Sequence, residues 1–89
     1  MPVLQVGSTG DVVRHLQTIL TEGAPGYWGV TPQGIDGDFG PHTRDSVEAF
    51  QRWANVGIDG IVGDQTWTVL MGAAGATLES LVGLEFVIG

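Results

Sequence analysis

One pattern of nine residues occurs twice, and it constrains the fold more than any other feature of the chain. Residues 35–43 read Ile35-Asp36-Gly37-Asp38-Phe39-Gly40-Pro41-His42-Thr43 and residues 58–66 read Ile58-Asp59-Gly60-Ile61-Val62-Gly63-Asp64-Gln65-Thr66, both matching I-D-G-x-x-G-x-x-T at an offset of 23 residues. Asp-Gly is a turn dipeptide, and the second glycine of each copy is expected to take a backbone conformation closed to residues with side chains. Thr43 and Thr66 then fall in the first turn of a helix. Two copies are too few for a solenoid, so the duplication reads as internal pseudo-symmetry within one domain.

Three helices are predicted around these turns. Ser8 is the expected N-cap of the first, with Asp11 three residues on. Its apolar positions Val12, Val13, Leu16, Ile19 and Leu20 recur at three and four residues, which leaves Arg14, Gln17 and Thr18 off the buried stripe, and Gly23 is expected to end it in a left-handed cap. The second helix begins at Pro41, where a missing N–H costs nothing, and its inner stripe is Thr43, Val47, Phe50 and Ala54. Trp53 falls at the edge of that stripe, Glu48 and Arg52 are spaced for an ion pair, and Asn55 and Gly57 close the helix. Asp64 is the expected N-cap of a short third helix, with Trp67, Leu70 and Met71 facing inward and Gly72 as its stop.

The ordered motifs Gly7-Ser8-Thr9-Gly10, Val13-x-x-Leu16-Gln17, Asp36 to Thr43, Val47-x-x-Phe50-Gln51 and Asp59-Gly60-x-x-Gly63-x-x-Thr66-Trp67-x-x-Leu70 resemble the small peptidoglycan-binding domain found attached to bacterial cell-wall hydrolases. The resemblance covers roughly residues 4–71. It implies an all-α, three-helix domain over residues 1–72 that binds peptidoglycan without catalysis and holds an attached or associated protein at the wall. Location outside the cytoplasm, in or on the cell wall, follows from the same resemblance. The Met1-Pro2-Val3-Leu4 start lacks the basic region of a signal peptide, so carriage within a larger exported protein, lysis or a dedicated machine is the expected route.

Composition narrows the alternatives. Ten acids against three arginines and no lysine give a net charge of −7, which removes the electrostatic footprint of a nucleic-acid binder. A chain this short buries only about 60% of its unfolded surface, and without cysteine it must be stabilised by packing. No run approaches the roughly 18 apolar residues of a membrane span. Catalysis finds no motif: neither His15 nor His42 accompanies a recognised nucleophile elbow, and Asp36 with Asp38 would need a cleft that a small domain hardly provides. A calcium loop starting at Asp36 fails, because Pro41 stands where glycine is required and Val47 where a bidentate glutamate belongs. The two histidines, without cysteine or a spaced carboxylate, make no zinc site. The expectation is a non-enzyme with no metal and no cofactor.

The binding groove implied by the resemblance lies where the duplicated turns, the start of the second helix and the loop 23–34 converge. Its candidate contacts are Tyr27, Trp28, Asp38, Phe39, His42 and Thr43, with Gln51, Asp59, Gln65 and Trp67 around them. Tyr27 and Trp28 can stack on a sugar face or lid the core. Asp36 and Asp59 suit turn-forming bonds to backbone N–H groups, with Thr43 and Thr66 bonding those carboxylates, and Phe39 and Trp67 suit the core. Whether glycan or stem peptide is recognised stays open. Residues 73–89 depart from the family pattern: a small-residue linker precedes an apolar tail in which Leu84, Phe86 and Ile88 alternate. The tail either folds back on the helices or docks on a partner, and the rival function is accordingly a docking module in a larger assembly, with the tail as its handle.

Overall fold

The computed structural model describes residues 2–24 and 27–73. Three helices stand in chain order: α1 is Asp11–Gly23, α2 is Pro41–Ala54 and α3 is Asp64–Ala73. The periodicity behind them is the expected one. Val13, Leu16, Ile19 and Leu20 of α1, Val47 and Phe50 of α2, and Trp67 and Leu70 of α3 form one buried core with Leu4, Phe39 and Val62.

The N-terminal lead ties the two turns together. Leu4 pairs with Val62 through reciprocal backbone bonds of 3.1 and 2.8 Å, while Gly7 and Ser8 bond Phe39 at 3.0 and 2.9 Å. One extended strap therefore touches the second turn and the first, and its far end accepts the Trp67 indole N–H at the Pro2 carbonyl, 2.8 Å away.

Several local expectations are corrected. The backbone turns left-handed at the first glycine of each copy, Gly37 at φ 80° and Gly60 at φ 71°, while Gly40 sits at φ −107°. The bend falls there because Asp36 and Asp59 each bond the N–H two residues on, at 2.9 Å. Ser8 does not cap α1. Its hydroxyl accepts the Gln5 N–H and its carbonyl is taken by Phe39, so Gly10 precedes the helix instead. Gly23 lies inside α1 and the cap residue Ala24 is right-handed. Asp64 is the first residue of α3, and the Gly63 carbonyl before it receives the Trp67 N–H at 2.9 Å. Glu48 faces Arg44 at 3.9 Å and not Arg52. Asn55 does close α2, in the left-handed conformation at φ 59°. The linker and tail expected over residues 73–89 lie outside the described residues apart from the end of α3, as do Pro25 and Gly26 of the loop.

Candidate functional site

The site is built on a buried glutamine, a residue that helical periodicity had left outside the core. Gln17 is 1% exposed. Its amide nitrogen donates to Asp36 Oδ1 at 3.0 Å, to the Asp38 carbonyl at 3.0 Å and to Thr43 Oγ1 at 3.1 Å, and its amide oxygen accepts the Gly37 N–H at 2.9 Å. One side chain thus fixes the first turn and the start of α2 onto α1.

The second turn repeats these four bonds and adds one, from the Asp59 N–H to Gln51 Oε1 at 3.1 Å. Gln51 donates to Asp59 Oδ1 at 2.9 Å, to the Ile61 carbonyl at 3.0 Å and to Thr66 Oγ1 at 3.1 Å, and accepts the Gly60 N–H at 3.0 Å. Thr43 and Thr66 therefore meet a glutamine amide, not the aspartates to which local sequence had assigned them. Both carboxyls are held below the usual carboxylate range. For Asp36 the leading cause is the Asp38 backbone N–H, followed by Gln17; for Asp59 it is the Ile61 backbone N–H, followed by Gln51. Bonds to the ionised form favour that form.

The first turn carries a cleft of about 240 Å³, walled by Pro32 and Pro41 and lined by Gln33, Asp36, Asp38, His42 and Thr43. The loop forming its outer wall is anchored by Ser46, whose hydroxyl donates to the Val30 carbonyl at 2.7 Å. Gln33 stands at the rim with φ 61°, a conformation that residues with side chains adopt at some cost and that recurs at binding sites. Arg14 lies in a separate cleft of about 300 Å³ with Asp11, His15, Thr18 and Ile35, so consecutive residues Ile35 and Asp36 line different clefts.

Of the residues expected at a groove, Asp38, His42 and Thr43 line this cleft, the first two exposed and Thr43 buried. Phe39 and Trp67 are core at 2% exposure, and Gln51 is fully buried in its network. Asp59 and Gln65 are exposed on the second turn and α3. Tyr27 and Trp28 belong to the other end of α2. Trp28 is 8% exposed, donates its indole N–H to the Leu20 carbonyl at 3.0 Å and meets Phe50 edge to face at 5.0 Å. Tyr27 is exposed and sits 5.2 Å from Trp53. From His42 to Trp53 the helix rises about 16 Å at its standard pitch, so the aromatic pair does not converge with the turn. Pro32, Gln33 and Asp36 are lining residues that sequence reasoning had not placed at the site. The signal for them was present in the Pro-Gln-Gly stretch that leads into the first turn and has no counterpart before the second. Among the described residues no three His, Cys, Asp or Glu side chains are grouped to hold a metal ion, and no helix is long and apolar enough to cross a membrane.

Comparison with known proteins places these features. The family model described as "Putative peptidoglycan binding domain" matches residues 9–70. A zinc D-Ala-D-Ala carboxypeptidase of Streptomyces albus G is 42% identical over 65 residues, covering 72% of this chain and 24% of the carboxypeptidase. An uncharacterised protein of Kitasatospora aureofaciens is 39% identical over 69 residues, covering 78% of this chain and 55% of that protein. The chain thus spans about a quarter and about half of the curated relatives it matches. Among solved structures, the SleB N-terminal domain superposes with a TM-score of 0.70 at 30% identity, covering 81% of this chain and 92% of that one. The Burkholderia AP3 phage endolysin superposes at 0.68 with 36% identity, over 78% of this chain and 24% of the endolysin.

Proposed function

The chain belongs to the peptidoglycan-binding domain family, a family related to domains of cell-wall hydrolases, and on that premise we propose that it binds peptidoglycan at the first-turn cleft without catalysing a reaction. Its role is to hold an attached or associated protein at the wall. A repetitive polymer suits such a module, because many weak sites raise the local concentration of whatever is attached.

The observation that carries this reading is the asymmetry between two otherwise matching turns. Both have the glutamine, the aspartate and the threonine in the same bonds. At the first, Asp38, Pro41 and His42 stand at a cleft closed by Pro32 and Gln33; at the second, Ile61, Asp64 and Gln65 occupy the corresponding positions. The shared residues make the fold; of those that differ, Phe39 and Val62 are core, while Asp38, Pro41 and His42 are exposed, where a ligand reaches them. Tyr27, with Asp59 and Gln65, is a further contact on a long polymer that extends past the cleft.

The test is chemical-shift mapping with soluble muropeptide fragments. Perturbations clustered on residues 32–43 support the assignment, while perturbations confined to Tyr27 and Trp53, or to the second turn, move the site elsewhere.

A further inference from the structure

Of the chain's six aspartates, Asp36 and Asp59 alone precede glycine. Asp-Gly is the dipeptide most open to one backbone reaction, because no Cβ on the following residue hinders it. The glycine nitrogen attacks Asp Cγ, its proton and the carboxyl hydroxyl leave as water, and a cyclic succinimide forms. Water then reopens the ring at either carbonyl, giving back aspartate or leaving isoaspartate, in which the backbone runs through the side-chain carbons. The turns cannot escape the dipeptide by substitution. Gly37 at φ 80° and Gly60 at φ 71° hold a left-handed conformation that favours glycine.

The folded turns oppose each requirement of that attack. The Gly37 N–H donates to Gln17 Oε1 at 2.9 Å and the Gly60 N–H to Gln51 Oε1 at 3.0 Å, so each nucleophilic nitrogen keeps its proton on a buried acceptor. The Oδ1 atom of each aspartate is tied to the N–H two residues on and to the glutamine amide. Those bonds fix the carboxyl and favour its ionised form, the poorer electrophile. Both glycines are buried. A Cβ built at Gly37 would meet the Arg14 guanidinium carbon at 3.1 Å, and one built at Gly60 would meet the Arg44 side chain at 2.8 Å, so an arginine also covers each turn.

We infer that Asp36-Gly37 and Asp59-Gly60 are the chain's isoaspartate-forming sites, each kept unreactive by its own buried glutamine and modified only while its turn is open. An isoaspartyl residue adds a methylene to the backbone, and the bonds to the glutamine cannot all re-form around it. Each event is therefore a permanent loss of that turn. The inference goes beyond the wall-binding reading and does not depend on it.

The full chain is incubated in heavy-oxygen water near neutral pH, folded and in urea, and the two turns are read separately by peptide mass spectrometry. Every ring opening leaves a heavy oxygen, whichever product forms. Both sites are expected to take up label at least about tenfold more slowly in the folded chain than in urea. Gln51→Leu should raise labelling at Asp59 about tenfold more than at Asp36, the scale of one lost buried hydrogen bond, and Gln17→Leu should reverse the preference. Equal rises at the two sites in these variants would overturn the inference, because global unfolding opens both turns together. Equal labelling of the wild-type chain folded and in urea would overturn it as well, and that comparison needs no variant to fold.

Discussion

Two glutamines hold this fold, and the consequences are largest at their level. Removing Gln51 leaves the Gly60 N–H, the Ile61 carbonyl and Thr66 Oγ1 without their partner in a buried setting. Unsatisfied buried groups cost about 1–3 kcal/mol each before relaxation and water entry, so Gln51→Leu is expected to destabilise by about 2–4 kcal/mol, read as a lower urea midpoint. An unchanged midpoint would mean the network is dispensable. The aspartates give a pH dependence with a definite sign. Their folded pKa values lie below the unfolded value of about 4, so their stabilisation is complete above that pH and disappears as pH falls through the folded values. Acid unfolding should therefore steepen below about pH 4, and the double variant Asp36→Asn/Asp59→Asn should show a shallower decline between pH 4 and pH 2 than wild type; equal slopes would contradict the assignment. Sequence had placed the aspartates in their turns correctly. It could not place Gln17 in the core, because a glutamine is usually found exposed and its partners lie 19 to 26 positions away.

Helices were the most legible elements, because apolar spacing reports burial directly. Their ends were less so. Gly23 shows why: it was read as a terminator, yet it stays helical and its lack of a side chain serves packing. A Cβ built there would lie 2.1 Å from Trp28 Cη2. Alanine is the better helix former by about 1 kcal/mol, but displacing the Trp28 ring from its place over α1 and Phe50 costs about 1–3 kcal/mol. Gly23→Ala is accordingly expected to lower the melting temperature, with an altered Trp28 indole resonance; a raised melting temperature would show that the ring moves freely. The loop after α1 follows the same logic. Trp28 is its buried half and Tyr27 its exposed half, so Tyr27→Ala should leave the fold intact where Trp28→Ala would not, and the two can be told apart by circular dichroism before any binding is measured.

For the whole molecule, the duplicated turn was legible as the organiser of a three-helix domain, and the family follows from it. The candidate cleft was legible only in part. Asp38 and His42 announced themselves by standing in the first turn, but the outer wall at Pro32 and Gln33 exists because Ser46 on α2 holds the Val30 carbonyl, a contact between segments that no local pattern encodes. The same geometry explains why two nearly identical turns need not share a function: the bonds that build them are buried and alike, while their exposed residues differ in charge and shape. The central claim is that this domain holds to peptidoglycan through the first turn. Its most direct test is cosedimentation of the full chain with purified sacculi, with cellulose as the control polymer and a His42→Ala/Asp38→Ala variant alongside. Saturable retention on sacculi alone, weakened in the variant, is the predicted result; equal retention of both proteins, or none on sacculi, would contradict it.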